Sequence, residues 1–169
     1  MYQRQDDRRY QQLRPIEVTR GYTQYAPGSI LLKMGNTHVL ATATIENRVP
    51  RHLMGPNNEV KSGWVTAEYA LLPSATHTRN ARERQKLSGR TAEIQRLIGR
   101  SLRACIDLEQ LGQHTITIDA DVIQADGGTR CASITAGFLA LHDAVGYLLK
   151  EKALKRSPIL YPIAALSVG

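Results

Sequence analysis

Apolar positions change their period part-way along the chain. Up to Ile45 they fall in short runs broken by Gly21, Pro27-Gly28 and Gly35-Asn36, the punctuation of strands and tight turns. The runs predict strands over 16–19, 22–25, 29–34 and 38–45, with Gly35-Asn36 as a hairpin turn. Val39, Ala41 and Ala43 alternate with Leu40, Thr42 and Thr44, so one strand face carries small residues. Residues 47–62 hold Pro50, Gly55, Pro56, Asn57 and Asn58 and read as a surface loop. A strand over 64–72 ends at Pro73. Residues 74–89 are polar and basic with no apolar period, a length that marks a functional or disordered loop.

Beyond that loop the period becomes helical. Ile94, Leu97, Ile98, Leu102, Cys105 and Ile106 line one face of a helix predicted over 91–108, at about 3.6 residues per turn. Arg96, Arg100 and Arg103 form a second stripe, paired by spacing with Glu93 and Asp107, which suits a salt-bridged surface or a subunit interface. After Gly112 comes an alternating strand over 115–123. A second helix over 131–150 sets Ile134, Phe138, Leu141, Val145 and Leu148 on one face. Ala136, Gly137, Ala140 and Ala144 make a small-residue stripe that permits close packing on a sheet. A last strand is predicted over 163–168. The fold class is therefore α/β (α+β): a β-rich front part, then helix, strand, helix and strand. Residues 1–12 read as a flexible N-terminal arm and 13–169 as a single domain.

Composition narrows the partners. The 169 residues carry a formal net charge of +7, which favours a polyanion, nucleic acid being the commonest. No apolar run is expected to reach membrane-spanning length, and no signal peptide opens the chain, so a cytoplasmic protein without a membrane partner is expected. Cys105 and Cys131 fall in helical patterns and read as reduced core residues.

The stretch 126–130, Asp-Gly-Gly-Thr-Arg, joins a strand to a helix. Free N–H groups at a helix start carry partial positive charge. Glycines allow positive φ and close approach of an anion. Thr129 adds a hydroxyl donor and Arg130 a fixed cation. An ordinary β-to-α turn has the same outline. Arg90 follows Ser88-Gly89 at the start of the first helix, so the two helix starts together could hold one phosphate; alternatively, Arg90 pairs with Glu93. The loop carries His77, Arg79, Arg82, Arg84 and Lys86, which suits a phosphodiester backbone or a solvated surface. Asp119 and Asp121 share a strand face and are candidates for magnesium, although salt-bridged carboxylates have the same pattern. The histidines show neither metal-ligand nor triad spacing, and His142 is expected to be partly buried.

Several segments together resemble the ribonuclease PH family: 13–15 (Leu-Arg-Pro), 63–69 (Gly-Trp-Val-Thr-Ala-Glu-Tyr), 76–83 (Thr-His-Thr-Arg-Asn-Ala-Arg-Glu), 89–98, 124–130 and 164–169. They occur in order over nearly the whole chain. The resemblance implies the RNase PH fold, with mixed sheets and a βαβα unit of left-handed crossover. It implies a 3′-to-5′ exoribonuclease that consumes inorganic phosphate, trims tRNA precursors and other RNA 3′ ends, and releases nucleoside diphosphates. It assigns phosphate to Arg90, Gly128, Thr129 and Arg130, and RNA to Arg79 and Arg82. It further implies a hexameric ring, a trimer of dimers, and Mg2+ held by an acidic segment after the strand matching 163–168. No residue here matches that segment. This chain is therefore expected to be a C-terminally truncated piece, weak or inactive alone, with no catalytic carboxylate of its own identified. A non-catalytic RNA-binding subunit of an exosome-type ring is the alternative. Ser74 stands where the family usually has arginine, Asp6-Asp7-Arg8 departs from the usual Asp-Gly-Arg, and the loop before Trp64 is longer than usual.

Overall fold

The computed structural model describes residues 8–9, 11–83 and 86–168. Most of the N-terminal arm, Asp6-Asp7, and Arg84 of the basic loop lie outside the described residues. β1 (Ile16–Arg20), β2 (Gly28–Met34), β3 (Thr37–Glu46), β4 (Trp64–Leu71) and β5 (Thr115–Gln124) form one sheet of order β1-β2-β3-β5-β4. β4 pairs with β5 in parallel, and the other neighbours are antiparallel. This is a mixed α/β fold. The parallel pair is joined through the basic loop, α1 (Gly89–Ala104) and the one-turn α2 (Leu108–Leu111); α3 (Thr129–Lys150) follows β5.

Alternation decides which face is covered. Ile30, Leu32, Val39, Ala41, Ala43, Val65, Ala67, Ile116, Ile118 and Val122 are all buried, and they meet Ile94, Ile98 and Leu102 of α1 and Phe138 and Leu141 of α3 in one core. The small-residue faces predicted for β3 and α3 explain how closely helix and sheet approach. A Cβ on Gly28 would stand 2.0 Å from the Ala140 carbonyl oxygen, a distance no side chain tolerates. α3 is long and apolar enough, by length and composition, to cross a membrane, contrary to the expectation that no segment would be. Of its most apolar window 61% is buried inside the molecule, which accounts for the composition by core packing.

Three predicted elements differ. Residues 22–25 form bends instead of a strand, because Thr23 turns back on Ser29: the Thr23 N–H donates to Ser29 Oγ at 2.9 Å, and the two hydroxyls are 2.7 Å apart. The first helix starts at Gly89 and stops at Ala104, not Leu108. There the chain is drawn aside: the Leu160 N–H donates to the Cys105 carbonyl and the Asp107 N–H to the Pro158 carbonyl. Asp107 then caps α2, accepting from the Gln110 N–H at 3.0 Å. Residues 163–168 have no ladder partner and form no strand. Ile163 and Ala165 are half-buried and the other four residues are exposed, with the Ala165 N–H donating to Thr135 Oγ1 of α3. His142 is exposed beside Asp143, not partly buried.

Candidate functional site

The corner after β5 is built by two successive left-handed residues, Gly127 (φ 75°) and Gly128 (φ 71°). Side chains other than glycine rarely adopt this conformation. Gly128 is the N-cap of α3, and no side chain caps it. The first turn of α3 thus keeps N–H groups for an outside acceptor. Two residues far away in sequence brace the corner. Thr37 Oγ1 donates to the Gly127 carbonyl at 2.6 Å and accepts from the Asp126 N–H at 3.0 Å. Arg14 reaches the same hydroxyl and the same carbonyl at 3.3 Å.

Arg90 arrives from the start of α1, which is well capped. Ser88 Oγ accepts from the Thr91 N–H at 3.1 Å. Glu83 fastens the basic loop to this cap, accepting from the Ser88 N–H and from Thr91 Oγ1. Its carboxyl is held below the ordinary range, chiefly by the bonds from Ser88. Arg90, Gly127, Gly128, Thr129 and Arg130 line one cavity of about 340 Å3, with Ser167 at its edge. That volume easily admits a tetrahedral anion, a water molecule occupying about 30 Å3 of liquid. The carboxylate expected near Arg90 is taken by the other arginine: Arg130 Nη2 donates to Glu93 Oε2 at 2.7 Å. Half-exposed pairs of this kind are worth little in stability, but this one fixes the direction of a guanidinium.

Beneath the corner, Tyr69 is 3% exposed and donates from Oη to Thr129 Oγ1 at 3.1 Å. Burial pushes its phenol up, against the Thr129 bond and the nearby Arg90 and Arg130 charges. Sequence reasoning missed Tyr69 and Thr37 as members of this site, and set Glu93 beside Arg90 where the structure pairs it with Arg130. Only the Leu-Arg-Pro and Trp-to-Tyr segments hinted at Arg14 and Tyr69, and they did so without a role.

A second cavity, of about 880 Å3, adjoins the first at Arg90 and Leu71. The basic loop forms its roof through Asn80, Ala81, Arg82 and Glu83, and the uncovered sheet face forms its floor through Thr42, Glu68, Asp119 and Asp121. Arg79 is exposed and lies outside both linings. Asp119 sits opposite Glu68 and Thr42 in the ladder. Its carboxyl is pushed up by burial first, then by Asp121 and Glu68. Asp121 is pushed up by burial, against the pull of Arg82. Asp119 and Asp121, the pair considered for Mg2+, gain no third ligand among the described residues. Among the described residues no group of three or more His, Cys, Asp and Glu could hold a metal ion, and Glu68 is engaged by Gln95 at 2.6 Å. The arginine stripe also departs from expectation. Arg103 turns inward, donates to the Val65 carbonyl at 2.8 Å and lies 4.4 Å over the Trp64 ring, a cation–π contact. Glu93 and Asp107 serve Arg130 and α2 instead.

Residues 12–145 match the family described as the 3′ exoribonuclease family, domain 1, RNase PH. The chain belongs to the ribonuclease PH family. It is 57% identical over 171 residues to the ribonuclease PH of a Synechococcus strain, covering 99% of this chain and 68% of that protein. It is 55% identical over 168 residues to that of Crocosphaera subtropica, again covering 99% and 68%. Among solved structures, the Archaeoglobus fulgidus exosome with RNA bound to its active site superposes with a TM-score of 0.74 at 22% identity, over 94% of this chain and 62% of that one. An archaeal exosome core gives 0.64 at 22%, over 83% and 53%. The RNase PH fold expected from the sequence is thus the fold observed. This chain spans about two thirds of its ribonuclease PH relatives and less of the exosome chains.

Proposed function

We propose that this chain holds the phosphate and RNA sites of a phosphorolytic 3′-to-5′ exoribonuclease acting on the 3′ ends of tRNA precursors and other RNA. One observation carries the reading. Arg90, Arg130, Thr129 and the Gly127-Gly128 corner, from two helix starts, line a single cavity that admits an anion and lies beside a loop bearing Arg79 and Arg82. In this reading inorganic phosphate sits in the smaller cavity and the RNA 3′ end enters the larger one. A phosphate oxygen attacks the phosphorus of the last internucleotide bond. The 3′ oxygen of the preceding nucleotide leaves and takes a proton, and the product is a nucleoside 5′-diphosphate. Two polyanions must meet, so fixed guanidiniums and backbone N–H groups that neutralise the attacking phosphate are the chain's main contribution. Arg82 and Arg79 hold the RNA backbone. Assembly into a hexameric ring would gather several basic loops around one RNA.

The test is tRNA with a few extra 3′ nucleotides, incubated with and without phosphate. Nucleoside diphosphate released only when phosphate is present is expected; phosphate-independent release of monophosphate overturns the proposal. Arg90→Ala is expected to raise the phosphate requirement at least tenfold, the loss of a charged hydrogen-bond partner, while RNA binding measured by gel shift stays nearly constant. RNA binding without phosphate-dependent release, in a chain that also fails to bind phosphate, would favour the non-catalytic ring subunit.

A further inference from the structure

Thr129 occupies the first helical position of α3 and lines the small cavity. Its hydroxyl has one hydrogen to give and two lone pairs to offer. The Tyr69 phenol, 60 residues earlier, fills one lone pair at 3.1 Å. Among the described residues nothing else is bonded to this hydroxyl. Its own hydrogen is therefore unclaimed inside a cavity walled by Arg90 and Arg130. Tyr69 does not line that cavity; it stands behind Thr129, in the wall of the larger one.

We propose that Tyr69 is a positioning residue for inorganic phosphate, its hydroxyl fixing the Thr129 side chain so that Thr129 donates to a phosphate oxygen. The proposal rests on the phosphate reading of the cavity. The β4 alternation that buries Val65 and Ala67 also buries Tyr69, so the phenol cannot swing away. Its burial keeps it protonated and hence a donor. A threonine hydroxyl released from such a partner is free to rotate and to turn its hydrogen away from the cavity. It would then present a lone pair, not a hydrogen, to the anion. The chemistry requires a hydroxyl that cannot choose.

The experiment is titration calorimetry of this chain with inorganic phosphate. Tyr69→Phe keeps the ring and removes one oxygen. It is expected to weaken phosphate binding about tenfold, the scale of one hydrogen bond to an anion, with RNA affinity unchanged. Thr129→Val, similar in shape but without the hydroxyl, is expected to weaken it at least as much. In the Thr129→Val background, Tyr69→Phe should cost nothing further. Thr129→Ser should retain most of the affinity and remain sensitive to Tyr69→Phe. If Tyr69→Phe binds phosphate like the unaltered chain, or if its effect persists in the Thr129→Val background, Tyr69 only fills the core and the proposal fails. Arg90→Ala separates that failure from a failure of the site itself. Phosphate affinity that survives Arg90→Ala, or an unaltered chain that binds no phosphate, overturns the cavity reading and this inference with it.

Discussion

Thr37 shows how much of the corner depends on single side chains. Its hydroxyl joins the Asp126 N–H, the Gly127 carbonyl and Arg14, and it is 1% exposed. Thr37→Val keeps the shape and leaves a buried carbonyl and N–H without their partner. A loss of about 1–3 kcal/mol is expected, read by chemical denaturation, together with weaker phosphate binding. Gly128→Ala differs in kind. No atom lies within 4 Å of the added Cβ, so the cost is purely that of positive φ, about 1–2 kcal/mol. These contrasts also explain what could be read in advance. Gly127-Gly128-Thr129-Arg130 after an alternating strand and Arg90 after Ser-Gly are local patterns, and their chemistry is visible in a few residues. Thr37 and Tyr69 act across 90 and 60 residues. Nothing in an alternating strand says which of its inward residues will end beneath a helix start. The pairing of Glu93 with Arg130 instead of Arg90 likewise depends on how two helices lie together.

Between elements, close approach of α3 to β2 is the controlling contact. Gly28→Ala would drive a methyl into the Ala140 carbonyl. Overpacking of this kind costs about 1–3 kcal/mol or more, and because α3 carries Thr129 and Arg130, the smaller cavity should be disturbed as well. Thermal melting and phosphate titration should fall together in this variant, whereas Arg90→Ala, which removes an exposed side chain, should affect only the second. β2 to β5 were legible from their apolar positions, since each has a neighbour with a matching buried face, whereas β1 is exposed along its length. Residues 163–168 are equally apolar, yet they have no neighbouring strand, and only Ile163 and Ala165 are half-buried; a strand requires a ladder partner. The end of α1 was misread for a related reason. Cys105 and Ile106 continue the helical period, but their backbone groups are taken by 158–160.

For the molecule as a whole, charge is distributed against its total. The chain is basic, at +7, yet the sheet face beneath the basic loop is acidic. Asp119 illustrates the consequence for stability. Its folded pKa is raised above the ordinary value of 3.8, so on raising the pH the unfolded chain loses this proton first. The folded state then binds more protons, and this group's contribution to stability falls between the ordinary value and the raised one. Asp119→Asn removes that loss. Its melting temperature should exceed that of the unaltered chain at neutral pH, and the gain should vanish near and below the ordinary aspartate value. A gain that persists in acid would place the effect in packing, not ionisation.

Asp121 carries the same arrangement into function. It lies within electrostatic reach of Arg82, a cation assigned to RNA, and both line the larger cavity. In the free chain this carboxylate holds part of the loop's positive field at home, so an incoming phosphodiester must compete with it. Asp121→Asn should therefore tighten binding of single-stranded RNA several-fold at low salt. Screening over about 10 Å at 0.1 M and about 3 Å at 1 M should erase most of the gain at high salt. Arg82→Ala should act in the opposite direction and lower the slope of log affinity against log salt by about 0.7, the value for one phosphate contact on a single strand. If Arg82 is the partner through which Asp121 acts, Asp121→Asn in the Arg82→Ala background should lose most of its effect. A gain of undiminished size there would mean that Asp121 repels the RNA directly, and that the loop and the acidic floor act on RNA as separate charges.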